Sequence, residues 1–172
     1  GPEIVGDDIF AVCEKVRPQV DFEIVPIKCA GFRGDQNEGT DIALDAILRK
    51  LVVQRKEKVQ GSVCLIAPHA SSNPTWMGDL AWVKGILGQM GAKISATLTH
   101  DTTMSEFQNV ASAEASLLLS HDAGRKAAEY LAQEFGIEQL CPGIPLPMGF
   151  TNTRRWLTAL GTGWGPTTQL KG

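Results

Sequence analysis

The chain is predicted to be an α/β protein of the three-layer, Rossmann-like, doubly wound type, with a mostly parallel five-stranded sheet. Short apolar segments alternate with segments whose apolar residues recur at three- and four-residue steps. Because a helix pattern follows each strand-like segment, successive strands should be parallel and the helices should cover both faces of the sheet. With 172 residues, of which 43% are hydrophobic and 20% charged, the composition is that of one ordinary globular domain.

The first part of the chain is predicted to contain two helices and one strand. An acidic pair precedes apolar residues at helical spacing, and Pro18 ends this first helix. Residues 22–28 are predicted to form a strand, and a glycine-rich loop follows at residues 30–39. A second helix is predicted over residues 40–53 from its apolar spacing.

The alternation becomes regular from residue 62 onward. Further strands are predicted at residues 62–68, 93–99, 116–120 and 140–148. Helices are predicted at residues 79–90, 105–110, 124–135 and 151–160. Prolines interrupt the last strand, so we expect it at or near a sheet edge. We place one domain over residues 1–160, in which residues 1–20 are the end of a preceding domain or a flanking helix. The glycine-rich tail over residues 161–172 is expected to be loosely held.

Composition excludes several classes of protein. The net charge is −3, and no basic face typical of nucleic-acid binding is visible. No apolar stretch approaches the ~20 residues that cross a bilayer, so we expect a soluble, cytoplasmic protein without membrane or nucleic-acid partners. The four cysteines form no C-x-x-C pair, which argues against disulfides and a zinc site.

All three histidines directly follow predicted strands. His69, His100 and His121 should therefore share the rim formed by the carboxyl ends of parallel strands, where such sheets bind ligands. Their mixed spacing does not favour a metal site. Two of them precede an aspartate, but the nucleophile elbow of hydrolases is absent, so hydrolysis is a weak interpretation.

The loop at residues 28–39 is a second candidate site. Its glycines allow close approach of the backbone to a ligand, and the helix start beyond it offers free N–H groups to an anion. Phe32 and Arg33 suit a planar or anionic partner. The loop has neither the dinucleotide spacing nor a Walker lysine, and a plain connecting loop remains the alternative.

Three segments in order resemble the nitrogenase component 1 family. They are P-E-I-V-G-D-D-I at residues 2–9, V-P-I-K-C-A-G-F-R-G at residues 25–34, and I-P-L-P-M-G at residues 144–149. The family comprises molybdenum–iron protein subunits, cofactor scaffold proteins and dark-operative protochlorophyllide and chlorophyllide reductases, and residues 45–52 look most like a scaffold subunit. The resemblance implies three Rossmann-like domains around buried metal clusters, with this chain as the end of the first and most of the second.

The resemblance also implies a set of residues that line a cofactor cavity. They are Cys29, Gly31, Phe32, Arg33, Gly34, Gln36, His69, Ser120 and His121. Ser120 occupies or neighbours the place of a cofactor-binding cysteine in the family, and Thr40 stands where a pocket histidine is expected. Because a serine hydroxyl binds iron poorly, nitrogen reduction is not expected.

The resemblance implies that the family's cluster cysteines lie upstream of Gly1. The chain also opens without methionine, which suggests an excised piece of a longer protein or a trimmed tag. The fragment should then hold no cofactor, whereas the full-length parent would hold an iron–sulfur or metal cluster, or a tetrapyrrole. The implied partners are sister domains, a homologous component 1 subunit and an ATP-dependent iron–sulfur reductase.

Two classes of function remain open from the sequence, beside a purely structural role. One is a fragment of an oxidoreductase subunit that transfers electrons to a bound cofactor or tetrapyrrole, or that serves as a cofactor scaffold, with the fragment itself inactive. The other is a stand-alone α/β module for small-ligand binding or interaction. Exposed apolar surface around Trp76, Trp156 or Trp164 would favour an interface with sister domains.

Overall fold

A computed structural model describes residues 5–32, 34–54, 56–66, 74–98 and 102–163. Within these residues four strands form one parallel sheet in the order β2-β1-β3-β4. The strands are β1 (Ser62–Ile66), β2 (Lys93–Leu98), β3 (Ala115–Leu118) and β4 (Glu138–Leu140). The predicted α/β class with a parallel sheet is confirmed.

Six α-helices accompany the sheet in the described residues. They are α1 (Ile9–Val16), α2 (Gln36–Leu51), α3 (Trp76–Gln89), α4 (Met104–Asn109), α5 (Arg125–Phe135) and α6 (Gly149–Gly163). Helices α3 and α6 cover one face of the sheet, whereas α2, α4 and α5 cover the other. None of the helices in the described residues is both long enough and apolar enough to cross a membrane.

The two faces of the sheet bury two separate apolar cores. Along β1 the side chains alternate, so that Val63 and Leu65 enter the core under α3 and α6 while Cys64 and Ile66 enter the other core. All five residues of β1 are buried, as expected for a central strand of a parallel sheet with both faces covered. The sheet is therefore the middle of three layers.

The strand order places a crevice between β1 and β3. The chain leaves β1 for β2 on one side, then crosses back to β3 on the other side of β1. Parallel pairing aligns β1 with β3, and beyond it the Leu119 N–H donates to the Ile66 carbonyl at 2.9 Å. Connections leave these two neighbouring strands toward opposite faces, which opens the ligand-binding crevice typical of such folds.

The predicted five strands are not confirmed, because the described residues form four. Residues 22–28 pair with no strand of the described sheet, and none of these side chains is buried. Pro26 within this segment also lacks the N–H that a ladder needs. The predicted strand at residues 140–148 is wrong as well: β4 ends at Leu140, and a turn with the Ile144 N–H donating to the Cys141 carbonyl follows.

Several helices begin or end at other residues than predicted, among them α2 and α6. Helix α2 begins at Gln36, because the Asp35 carboxylate accepts the N–H groups of Asn37 and Glu38 at 2.9 Å each. Helix α6 continues to Gly163, so the first three residues of the predicted loose tail are helical. The rest of the tail, residues 164–172, lies outside the described residues.

Candidate functional site

A cavity of about 480 Å³ lies at the carboxyl-terminal rim of the sheet, on the side of α3 and α6. It lies between the start of α3, the connection from β3 to α5, and the segment that leads into α6. Its polar and aromatic lining comprises Thr75, Trp76, Asp79, Trp82, Ser120, His121 and Asp122, and its apolar lining Leu80, Val83, Leu119, Leu146, Pro147 and Met148. Its volume falls within the ~300–1,000 Å³ typical of small-molecule sites.

Ser120 shapes the wall of this cavity through its hydroxyl. The hydroxyl accepts the backbone N–H groups of Asp122 at 3.1 Å and Ala123 at 3.2 Å. Gly124, which precedes α5 in a left-handed conformation, has no side chain to cap the helix. The nearly buried Ser120 therefore fixes the turn that brings the chain from β3 to α5.

His121 connects two loops of the rim. Its Nε2 accepts the backbone N–H of Leu146 at 3.3 Å. Since an imidazole nitrogen that accepts a hydrogen bond carries no proton, Nδ1 is the ring nitrogen that can donate. The imidazole therefore anchors the segment before α6 and keeps a donor at Nδ1.

Asp41 links the start of α2 to the start of α5. This carboxylate is buried, and its Oδ1 accepts the backbone N–H of Lys126 at 3.2 Å. Lys126 lies in the first turn of α5, where N–H groups have no partner within the helix. Asp41 thus caps a helix 85 residues away in sequence, in place of the side chain that Gly124 lacks.

We expect Asp41→Ala to destabilise the chain by about 1–2 kcal/mol, because it removes the cap of α5 and leaves a partly buried N–H group unpaired. The matched control is Asp45→Ala, one turn further along α2, whose carboxylate only pairs with Arg49 on the surface at 2.9 Å. Such an exposed pair contributes about 0.5 kcal/mol. Urea denaturation of both variants measures the difference, and equal losses would contradict the capping role.

The structure brings together only part of the predicted site. Ser120 and His121 line the cavity. Arg33 and His69 lie outside the described residues, as does His100. The other predicted residues belong to the segment before α2 or to its first turn, and none lines the cavity: Cys29, Gly31, Phe32, Gly34 and Gln36.

The glycine-rich loop is shorter than predicted, because α2 takes up its last four residues. Helix α2 belongs to the core on the opposite face of the sheet from the cavity. Phe32 is 68% exposed, and the Lys28 ammonium lies 4.7 Å from the centre of the Phe10 ring, which ties the loop to α1. The described residues of the loop therefore do not contribute to the lining of the cavity.

The contribution of α3 to the cavity was not predicted from the sequence. Trp76, Asp79 and Trp82 supply one wall of the cavity, but the helix was predicted to begin only at residue 79. The signal was Pro74 followed by Thr75, whose hydroxyl donates to the Asp79 carboxylate at 3.0 Å. Asp122 and Met148 were missed because only the fold places them at the cavity.

The donors at the cavity do not fit a metal cluster. Among the described residues, no three His, Cys, Asp or Glu side chains are grouped as metal ligands would be. The Ser120 hydroxyl is held by two backbone N–H groups, and hydroxyls bind iron poorly. Burial raises the pKa of the Cys64 thiol to about 12 and that of Cys141 to about 11, and neither residue lines the cavity.

The raised pKa values predict slow thiol alkylation in the folded chain. At pH 8 only about one in a thousand Cys141 thiols is a thiolate, and fewer for Cys64, and the thiolate is the reactive form. Cys29 is exposed and serves as the internal control. Iodoacetamide labelling followed by mass spectrometry should modify Cys29 first, while Cys64 reacts only after denaturation. Rapid native labelling of Cys64 would contradict its burial.

Comparison with known proteins identifies a matching family model and relatives among the nitrogenase proteins. Residues 1–169 match the family model described as nitrogenase component 1 type oxidoreductase. The chain is 26% identical over 141 residues to the nitrogenase iron-molybdenum cofactor biosynthesis protein NifE of Klebsiella pneumoniae, covering 78% of this chain and 31% of that protein. It is 29% identical over 134 residues to the nitrogenase molybdenum-iron protein alpha chain of Azospirillum brasilense, covering 77% and 28%.

A solved structure agrees with this match. The structure titled nitrogenase Cp1 at pH 6.5 superposes with a TM-score of 0.65 at 25% sequence identity, covering 80% of this chain and 26% of that one. The chain thus spans about a third or less of the length of these relatives.

Proposed function

Because this chain belongs to the nitrogenase component 1 type oxidoreductase family, we propose that it is one Rossmann-like domain of a longer subunit that passes electrons to a bound acceptor. The resemblance stated from the sequence motifs is confirmed. In this proposal residues 1–160 form the domain. The parent receives electrons from an ATP-dependent iron–sulfur reductase, and the isolated chain has no activity of its own.

The cavity at the carboxyl ends of β1 and β3 is the observation that carries this proposal. It lies at the topological switch point of the sheet, where doubly wound folds bind their ligands. Ser120 and Asp122 come from the connection after β3, and Trp76 comes from the helix after β1. An acceptor held there would contact residues of two neighbouring strand-to-helix units.

The cavity residues position the acceptor. The tryptophan rings and Met148 offer apolar surface to one side of the bound molecule. The Nδ1–H of the His121 imidazole can donate a hydrogen bond to the acceptor, while Nε2 remains bonded to the Leu146 N–H. A metal cluster in the parent would supply electrons. The described cavity residues do not include a set of ligands for such a cluster.

The sister domains of the parent are proposed to cover the apolar surface of the N-terminal region. No side chain of α1 is buried, and Phe10 and Val12 are 45% and 54% exposed. A helix that exposes such side chains marks an interaction surface. Trp156 does not support such an interface, because its ring is buried, whereas Trp76 is partly exposed. Trp164 lies outside the described residues.

A stand-alone ligand-binding module remains the second candidate, because described residues from α3, from the connection after β3 and from the segment before α6 line the cavity together. Anaerobic purification of the full-length parent, followed by ATP-dependent reduction with its reductase, separates the two. We expect a bound acceptor whose absorbance changes on reduction. His121→Ala should slow this change by roughly tenfold, because it removes the hydrogen bond that positions the acceptor.

Asp21→Asn serves as the control and should leave the rate unchanged, because Asp21 is exposed and does not line the cavity. A parent that contains no acceptor and accepts no electrons, while this chain still binds small molecules, would overturn the oxidoreductase proposal in favour of the binding module.

A further inference from the structure

We infer that residues 145–148 form a strap that opens and closes the cavity, and that His121 is the latch that holds this strap closed. Leu146, Pro147 and Met148 of the strap line the cavity, and all three side chains are also partly or largely exposed to solvent. The strap therefore lies between the cavity and the solvent. The inference goes beyond the proposed function, because it holds whether the cavity takes an electron acceptor or another small molecule.

Both ends of the strap are anchored to the core. Ile144, directly before the strap, packs against the core under α3 and α6. Helix α6, which follows the strap, is fixed in the same core through Trp156 and Leu160. The Cys141 thiol also donates to the Trp156 carbonyl at 3.9 Å, which ties the turn before the strap to α6. Motion is therefore confined to the four residues between these anchors.

The middle of the strap is held by few contacts. Among the described residues, one hydrogen bond joins the strap to the rest of the rim, from the Leu146 N–H to Nε2 of His121 at 3.3 Å. The Met148 N–H donates within the strap, to the Leu146 carbonyl at 2.7 Å. The two prolines have no N–H to donate, so the strap cannot extend the ladder of β4. Met148 is 73% exposed, so its side chain adds little buried surface.

Two glycines supply the bends on either side of the strap. Gly143 and Gly149 both have a φ of +71°, in the left-handed region. A Cβ at either position would meet no atom within 4 Å, so the backbone conformation and not the space requires glycine there. Pro145 and Pro147 fix φ at about −65° within the strap. The strap should therefore move as a stiff segment that turns at its glycine end, Gly149.

Amide hydrogen exchange, measured by NMR on the 172-residue chain, tests the latch. His121→Gln keeps a side-chain oxygen that can accept the Leu146 N–H, whereas His121→Leu is similar in size but has no acceptor. We expect the Leu146 amide to exchange about three- to tenfold faster in the leucine variant, and glutamine to restore most of the protection. The Leu119 amide, which donates to the Ile66 carbonyl, should be unchanged if the sheet is intact.

Binding kinetics of a neutral dye test the gate. N-phenyl-1-naphthylamine is an uncharged aromatic amine whose fluorescence rises in apolar surroundings, and it offers no strong acceptor to Nδ1 of His121. A strap that opens more often lets molecules enter and leave faster. His121→Leu should therefore raise the association and dissociation rate constants together by about three- to tenfold, with Kd unchanged. A residue that only contacts the bound dye would change the dissociation rate alone.

Three results would overturn the inference. Equal exchange of the Leu146 amide in the native chain and both variants would show that His121 does not hold the strap. A faster dissociation with no change in association would make His121 a contact of the bound dye and not a latch. Absence of dye binding would show that the cavity admits no apolar molecule of this size. None of these results bears on electron transfer in the parent, which the reduction experiment reports separately.

Discussion

Replacement of Trp156 by alanine is expected to destabilise the folded chain by about 3–5 kcal/mol, the range for a large aromatic side chain removed from a core. The ring is only 1% exposed and lies in the core between the sheet and helices α3 and α6. A domain of this size has a total stability of about 5–15 kcal/mol, so the loss is a large share of it. Urea denaturation should show a much lower midpoint with an unchanged slope.

The matched control for this change is Leu157→Ala. Leu157 is the next residue of the same helix, and it is 37% exposed. Its removal should cost less than about 1 kcal/mol, because little apolar surface returns to water. If both variants lost the same stability, α6 would not pack against the sheet through Trp156.

Replacement of Ser120 by alanine has the second largest expected effect, a loss of roughly 2 kcal/mol. The hydroxyl accepts two backbone N–H groups, and alanine leaves both without this partner. The turn between β3 and α5 also forms a wall of the cavity. Chemical denaturation should therefore show lower stability. Titration with a small molecule that binds the cavity should show weaker binding in the same variant.

The control is Ser112→Ala, whose hydroxyl only donates to the Asn109 carbonyl on the surface at 2.7 Å. We expect it to cost less than about 0.5 kcal/mol. A Ser120→Ala variant that lost binding but kept full stability would identify the hydroxyl as a ligand contact, not as part of the turn.

The sequence predicts most of the sheet because its strands are short apolar segments between helix patterns. β1 and β2 lie within the predicted segments, and β3 begins one residue before its predicted segment, since both faces of these strands are covered. The segment at residues 22–28 has similar apolar content, but its side chains are only partly buried. Local sequence does not reveal which apolar segments join a ladder, because that depends on the distant residues that cover them.

The candidate site is predictable only where it follows strand ends. His121 was predicted because it follows a predicted strand and parallel strands end at one rim, whereas Ser120 was implied by the family resemblance. Trp82 lies inside a helix, and whether its ring reaches the cavity depends on the contact with Trp156 from another helix. The capping role of Asp41 was equally hidden, because its partner lies 85 residues away.

The central claim is that the cavity between α3 and the connection after β3 holds the electron acceptor of the parent. A structure of the full-length parent with its acceptor bound tests this claim most directly. The account predicts that the acceptor contacts Trp76, His121 and Met148. An acceptor bound elsewhere in the parent, with these three residues contacting only protein, would contradict it.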